Sequence, residues 1–256
     1  MTSAAEFATR VKSGETVIGY WVVTDNPVGT ERLARAGYDY VALDAQHGLI
    51  GYQGMLTGLL AIDASQSAVG VVRVEANHAT PIGQALDAGA AGVIVPLINT
   101  ADDAATAVAA TRYPPEGIRS YGPMRSGLRV GPNPADANAS VLVFAMIETP
   151  QGLANVDEIA ATPGLDGLYI GPSDLTLALG GTSSTDPAVA EQFDAALERH
   201  RQACETNGII PAIHTASGAI ARKRIAAGFR FVSIASDLTH LEAIAQSHLA
   251  AAKEAE

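Results

Sequence analysis

The sequence predicts an α/β protein, a single (β/α)8 TIM barrel over residues 1–256, from three observations. Apolar runs rich in β-branched residues alternate with Ala-rich stretches of helical spacing, eight such runs occur, and no linker or composition shift divides the 256 residues. An open doubly wound sheet is the competing arrangement, and the count of eight favours closure.

The strand-like runs cover 17–23, 40–43, 69–74, 93–98, 141–147, 168–170, 209–213 and 231–234. Each is short and apolar, the pattern of a strand buried on both faces. Between them, stretches such as ERLARAG, IGQALDAG and AIARKRIAAG carry small residues at helical spacing, and Gly37, Gly89 and Gly228 stand where a helix ends before the next strand. Thr149 followed by Pro150 reads as an N-cap and first helical residue directly after the fifth run. One segment, 113–135, is too rich in Gly and Pro for a helix and too long for a routine connection. With Arg112, Arg119, Arg125 and Arg129 it is either a functional or interface loop or a solvated one with surface arginines.

Composition narrows the function classes. With 48% hydrophobic residues the chain can bury one substantial core, and 16 Lys plus Arg against 27 Asp plus Glu give a formal charge of -11. That balance disfavours nucleic acid and anionic membranes and favours small-molecule chemistry. No apolar run approaches the roughly 18 residues of a membrane span. A single cysteine, Cys204, excludes an intrachain disulfide, and the first residues lack the apolar core of a signal peptide, so a cytoplasmic location is expected. The sequon at Asn138 reads as chance. G-x-G-x-x-G after the first strand, the P-loop and G-x-S-x-G are all missing, which removes the local signals for dinucleotide, nucleotide and serine-hydrolase chemistry.

In a barrel of this kind catalytic groups lie at the carboxyl ends of strands. Glu148 ends the fifth run and Asp174 follows the sixth, so the two acids come from matching ends of neighbouring strands, placed to share a hard divalent cation. The plainer reading is that each acid caps the next helix. The second run ends in Asp44-Ala45-Gln46-His47, a spacing at which the carboxylate can orient the imidazole as a general base. Arg73 closes the third run, where its partner is substrate oxygen or an acid such as Asp44. His214, Ser236 and Asp237 end the last two runs and are candidates for the barrel mouth. His200, His240 and His248 read as ordinary, partly exposed helical residues, and His78 as a loop residue. Asp87, in a helix, would read as a surface acid.

LDAQHG (43–48), VVRVEAN (71–77), LDAGAAGVIVPLINTADDA (86–104), RYPPEGIRSYG (112–122), MIETPQGLANVDEIA (146–160) and GLDGLYIGPSDLTLALG (164–180) together resemble the class II pyruvate aldolases of the HpcH/HpaI family, across nearly the whole chain. The resemblance implies a (β/α)8 barrel in a homo-oligomer, commonly a hexamer, that uses a divalent metal (Mg2+, Mn2+ or Co2+) to cleave or form aldols between pyruvate and an aldehyde. It casts Glu148 and Asp174 as metal ligands, Arg73 as the enolate-stabilising arginine and Asp44 with His47 as the base dyad. Gly171, Pro172, Ser173 and Asp174 resemble the turn whose amides hold the pyruvate carboxylate. Asp87 matches an acid that approaches a neighbouring subunit's site, and Gln46 lies where many members have Glu. Met146 stands where many have Gln. Acceptor choice is assigned to His214 and to the loop around Arg119 to Arg129. Only Lys12, Lys223 and Lys253 are present, none at a strand end, which weighs against an imine-forming aldolase. The rival readings are a CoA-ester lyase of the citrate or malyl-CoA lyase type and a barrel that binds without catalysing.

Overall fold

Each of the eight predicted runs forms a strand in the computed structural model, which describes residues 3–253. The strands are β1 (Val17–Val22), β2 (Tyr40–Asp44), β3 (Val69–Arg73), β4 (Gly92–Val95), β5 (Leu142–Ile147), β6 (Gly167–Ile170), β7 (Ile210–Thr215) and β8 (Phe231–Ser236). All pair in parallel and in chain order, and β8 returns to β1, so the sheet is a closed barrel. Their burial is almost unbroken, as the apolar runs require of strands covered on both faces. The fourth strand is shorter than its apolar run, because the chain turns at Leu97, which has a positive φ of 56°.

The first helices are α1 (Ala4–Lys12), α2 (Pro27–Ala34), α3 (Tyr52–Ser65), α4 (Ala79–Asp87), α5 (Ala101–Thr111) and α6 (Pro134–Ser140). After β5 come α7 (Pro150–Ala154), α8 (Val156–Ala160), α9 (Pro172–Ala178), α10 (Ala190–Asn207), α11 (Gly218–Ala226) and α12 (Asp237–Lys253). Their starts follow local capping chemistry. Thr100 accepts the Asp103 amide at 3.1 Å while Asp103 accepts the Thr100 amide at 2.9 Å, and Thr149 takes the Gly152 amide at 2.9 Å with Pro150 behind it. Gly37, Gly89 and Gly228 all have φ near +100°, the backbone that lets the chain leave a helix and enter a strand.

Two apolar layers hold the barrel. Inside it, Tyr40, Phe144, Tyr169 and Phe231 fill the lumen, Tyr40 and Phe231 stacking at 4.1 Å, and Phe7 of α1 plugs the amino end against both. Gly19 is required here, since a Cβ on it would sit 2.1 Å from the Tyr40 ring. Outside, Leu43, Leu59, Ile62, Val72, Val93, Val143, Ile147 and Leu168 pack under the helices. Cys204 is buried in this outer layer on α10, and burial pushes its thiol up to about 12. His200, expected to be partly exposed, is fully buried there with its ring stacked on Phe229 at 5.7 Å. An apolar helix face recruited it, and burial pulls its pKa down to about 3, with the Leu168 backbone opposing.

Parallel strands run to one end and helices return to the other, so every loop after a helix lies at the amino end. The segment between α5 and α6 is such a loop. It cannot line its own chain's strand-end site, which corrects the expectation that Arg119 to Arg129 select the acceptor there. Instead it is pinned by ion pairs: Arg112 to Asp166 at 3.3 Å, Arg119 to Asp87 at 2.6 Å, Arg129 to Asp63 at 2.8 Å and Arg125 also to Asp63. Asn138 is buried, with its amide bonded to both the amide and the carbonyl of Tyr113, so the sequon cannot act as a glycan acceptor in the folded chain. No helix among the described residues is long and apolar enough to cross a membrane.

Candidate active site

At the carboxyl end the sequence-predicted residues converge on a cavity of about 250 Å³ lined by Trp21, His47, Arg73, Asp174, His214 and the turn from Gly171 to Ser173. Glu148, directly after β5, lies behind Gly171 of that lining. The Glu148 carboxylate is buried: Oε1 accepts the Leu97 amide at 2.9 Å, while Oε2 has no hydrogen-bond partner among the described residues. Burial raises its pKa, the Leu97 amide opposes, and the charge of nearby Asp174 raises it further. Gly171 is what brings the two elements so close, since a Cβ there would lie 2.6 Å from Glu148 Oε2.

Neither acid caps a helix by its side chain. Thr149 caps α7, and Asp174 stands in the first turn of α9 behind an uncapped Gly171. Two neighbouring carboxylates, one buried and short of a partner, fit a hard divalent cation. Among the described residues no third His, Cys, Asp or Glu joins them. A cation held by this pair would need further oxygen ligands from outside the two side chains, a requirement that suits Mg2+. Of the Gly171–Ser173 turn, Pro172 has no N–H and contributes only its ring, leaving the Gly171, Ser173 and Asp174 amides as donors.

Asp44 and Arg73 are register partners across β2 and β3, and they pair. Arg73 Nε donates to Asp44 Oδ1 at 2.9 Å and Nη2 to Oδ2 at 2.5 Å, the two-pronged geometry that fixes a guanidinium plane. Asp44 also accepts the Gln46 and His47 backbone amides at 3.0 and 3.1 Å and the Trp21 indole N–H at 3.2 Å. Burial works to raise this carboxyl, but Arg73, the His47 amide and the indole outweigh it and hold it below the usual range.

The expected dyad is therefore corrected in one respect. Asp44 does not hydrogen-bond the His47 imidazole; it orients Arg73 and fixes the backbone under His47. The imidazole itself is exposed and lines the cavity, with no hydrogen bond among the described residues. Arg73 Nη1 is turned toward Met146, whose Sδ lies 3.9 Å away and is at best a weak acceptor. This edge of the fork stays available to an anion in the cavity.

The remaining candidates separate. His214 faces the cavity, its ring edge-on to Trp21 at 5.2 Å, and burial with the Arg73 charge pulls its pKa down to about 4 while Asp44 opposes. Ser236 lines the cavity and bonds Thr239 at 2.8 Å. Asp237 does not line it: its carboxylate accepts the Val23 and Thr24 amides at 2.9 and 3.2 Å and the Thr24 hydroxyl, clasping the chain after β1. Gln46 bonds through its backbone, and its buried Oε1 has no partner among the described residues and does not line the cavity. Asp87, at the end of α4, lies at the amino end and is out of reach of its own chain's acids, so it is not part of this cavity.

Sequence reasoning missed Trp21. Its ring lies 5.2 Å from the Arg73 guanidinium, and its N–H reaches Asp44, so it forms one wall of the site. The only tryptophan in the chain, near the carboxyl end of the first strand, was the available signal. A larger cavity, about 520 Å³, lies outside the barrel between α2 and α12, but it holds no converging acids and is walled by Leu33, Leu241 and Ile244.

A closed parallel barrel with a buried, incompletely satisfied acid and an oriented arginine at the carboxyl ends of its strands has the architecture of a barrel enzyme. The chain matches the model of the HpcH/HpaI aldolase/citrate lyase family over residues 17–243. It is 39% identical over 241 residues to the hydroxypyruvate/pyruvate aldolase of Rhizorhabdus wittichii, covering 94% of this chain and 95% of that one. It is 36% identical over 237 residues to the 5-keto-4-deoxy-D-glucarate aldolase of Klebsiella pneumoniae, covering 91% of each. Among solved structures, a HpcH/HpaI aldolase/citrate lyase family protein from Burkholderia cenocepacia superposes with a TM-score of 0.87 at 31% identity, covering 97% of this chain and 99% of that one. The protein belongs to the HpcH/HpaI aldolase/citrate lyase family. It is a carbon–carbon lyase of the aldolase type.

Proposed function

We propose that this protein cleaves and forms 4-hydroxy-2-oxo acids, with pyruvate as the nucleophilic half and an aldehyde as acceptor, in a site that needs a divalent cation. The observation that carries this reading is the buried Glu148, with an unpartnered Oε2, beside Asp174 and facing an oriented Arg73. Glu148 and Asp174 hold the cation, Mg2+, Mn2+ or Co2+. When bound, it supplies Lewis-acid polarisation of a 2-oxo acid's ketone.

The chain's own groups do the rest. The Gly171, Ser173 and Asp174 amides bind the carboxylate of the 2-oxo acid. Arg73 presents Nη1 to the oxygen that gains negative charge as the carbon–carbon bond breaks, and Asp44 holds its plane. Trp21 and Met146 exclude water from that edge of the fork. His47 accepts the proton of the 4-hydroxyl, directly or through water, and returns it in the synthetic direction.

We further propose a homo-oligomer, hexameric as the family likeness implies, in the cytoplasm. Leu238, Leu241, Ile244 and Leu249 of α12 are exposed beside the outer apolar cavity, and Met124 and Leu128 are exposed on the amino-end loop, apolar surface that a neighbouring copy would cover. In such an assembly Asp87 serves a neighbouring copy's site rather than its own.

Deuterium exchange into the methyl group of pyruvate tests the reading, because exchange passes through the enolate without needing an acceptor. Exchange should require added Mg2+, Mn2+ or Co2+ and stop with EDTA. Full exchange in metal-stripped protein, or none with any of the three metals, would overturn it. Light scattering checks the assembly, and a monomer at micromolar concentration would remove that part.

A further inference from the structure

The turn after β4 carries a strained residue that touches a proposed metal ligand. Leu97 has a φ of 56°, a left-handed backbone that leucine rarely adopts, and its side chain is 53% exposed, so packing does not hold it there. This conformation gives the Leu97 amide to Glu148 Oε1, 2.9 Å away.

Hydrogen bonds hold the turn instead, and they run through Asn99. Its Nδ2 donates to the Leu97 carbonyl at 2.9 Å, and its Oδ1 accepts the Thr149 hydroxyl. Its own amide donates to the Asp103 carboxylate at 3.1 Å and its carbonyl accepts Asn155 Nδ2 at 2.8 Å, so each polar atom of the residue is engaged. The adjoining Ile98 amide donates to the Met146 carbonyl at 3.2 Å. From the other side α7 comes so close that a Cβ on Gly152 would lie 2.6 Å from the Ile98 carbonyl oxygen.

The result is a closed ring. From Glu148 Oε1 it passes to the Leu97 amide, from the Leu97 carbonyl to Asn99, on to Thr149 and back along the chain to Glu148. A carboxylate free to turn about its last torsion can offer a cation both oxygens. Here Oε1 is committed to the backbone, and Oε2, buried and without a hydrogen-bond partner among the described residues, is the oxygen left open. That distinction matters between hard cations. Ca2+ takes roughly six to eight oxygens in a flexible shell and readily accepts both oxygens of one carboxylate, whereas Mg2+ demands a near-octahedral shell and keeps several waters.

We infer that Asn99 is a positioning residue for metal selectivity: by holding the Leu97 turn it restricts Glu148 to one oxygen, and so shifts the site's preference from Ca2+ toward Mg2+. The inference rests on the assignment of Glu148 and Asp174 to the cation above. It gives the strained turn a use that its exposed side chain does not.

The test is Mn2+ binding to the metal-stripped full chain, read by electron paramagnetic resonance of the free ion, with Mg2+ and Ca2+ each titrated as competitor. In Asn99→Ala, Mg2+ affinity should fall by about tenfold, as when a ligand loses the group that orients it, while Ca2+ affinity is kept because the released carboxylate offers both oxygens. The ratio of Ca2+ to Mg2+ affinity therefore rises by about tenfold. Adding Leu97→Gly to that variant should return most of the Mg2+ affinity, since glycine takes the left-handed turn without support. A general loosening of the fold predicts otherwise: both ions weaken together, and the glycine weakens them further. A ratio that stays level or falls in Asn99→Ala, or no recovery with Leu97→Gly, overturns the inference. Wild-type Mn2+ binding isolates the premise: with Mn2+ bound and the ratio unmoved only this inference fails, and with no Mn2+ bound the cation reading fails first and takes this inference with it.

Discussion

At the amino end of the barrel each arginine of the loop between α5 and α6 meets an acid: Arg112 with Asp166, Arg119 with Asp87, Arg125 and Arg129 with Asp63. At the carboxyl end the arrangement is reversed. Glu148 and Asp174 stand together with no cation from the described residues between them, His47 is exposed with no hydrogen bond among those residues, and Arg73 is held by Asp44. Like charges brought together cost stability, and such a cost is retained where function requires it. The difference teaches which end of this barrel serves folding and which serves chemistry, without reference to any relative.

Four experiments break or sharpen that contrast. The largest effect is expected from Glu148→Gln, which removes the buried charge that faces Asp174. Metal affinity should fall by more than the roughly 10–100-fold that loss of an outer-shell partner costs, while thermal stability without metal holds or rises, because a repulsion is gone. Unchanged metal titration in the variant would dissolve the contrast. Next, His47→Ala should slow aldol cleavage by about two to four orders of magnitude and leave metal binding nearly as it was. Cleavage at the wild-type rate would take His47 out of the mechanism.

The third acts at the other end. Arg112→Met breaks a buried guanidinium that serves Asp166 at 3.3 Å and the Val141 carbonyl at 3.0 Å, and should cost about 3 kcal/mol of stability by urea titration. Activity per folded molecule should be kept. A variant as stable as wild type but inactive would invert the assignment of the two ends. The smallest is a pH effect. His200 is held down to about 3 in the fold, against 6.5 when unfolded, so the unfolded state binds the extra proton between those values and stability declines as pH falls below 6.5. His214, held at about 4, adds in the same direction. His200→Leu should remove one proton's share of that slope, about 1.4 kcal/mol per pH unit, from urea midpoints at pH 6.5 and 4.5. An identical slope in both proteins would mean that His200 titrates normally in the fold.

The fold was legible because burial on both faces leaves a mark on each strand: eight runs of β-branched residues, with Thr149-Pro150 and the glycines after helices as punctuation. The strand-end positions of Glu148, Arg73 and Asp174 follow from the same marks. What was not legible depends on direction across the sheet. Asp44 is three residues from His47 along the chain but opposite Arg73 in the β2–β3 register, and the register decided its partner. Likewise 113–135 shows its length in the sequence, while the end of the barrel it occupies follows from coming after a helix. The burial of His200 depends on which face of α10 meets the barrel, and that helix has too mixed a composition to tell. Trp21 has no motif around it; only convergence with Asp44, Arg73 and His214 gives it a role.

The burial of Cys204 has a practical consequence. A thiol held at about 12 exists almost wholly as the unreactive protonated form at neutral pH, and α10 covers it. The native chain thus behaves toward maleimides as if it had no cysteine. A cysteine introduced at exposed Ser183 would be the one labelled position, so dye pairs could report distances between copies in solution. The native thiol would then serve as a built-in clock, reacting only at the rate at which α10 leaves the barrel.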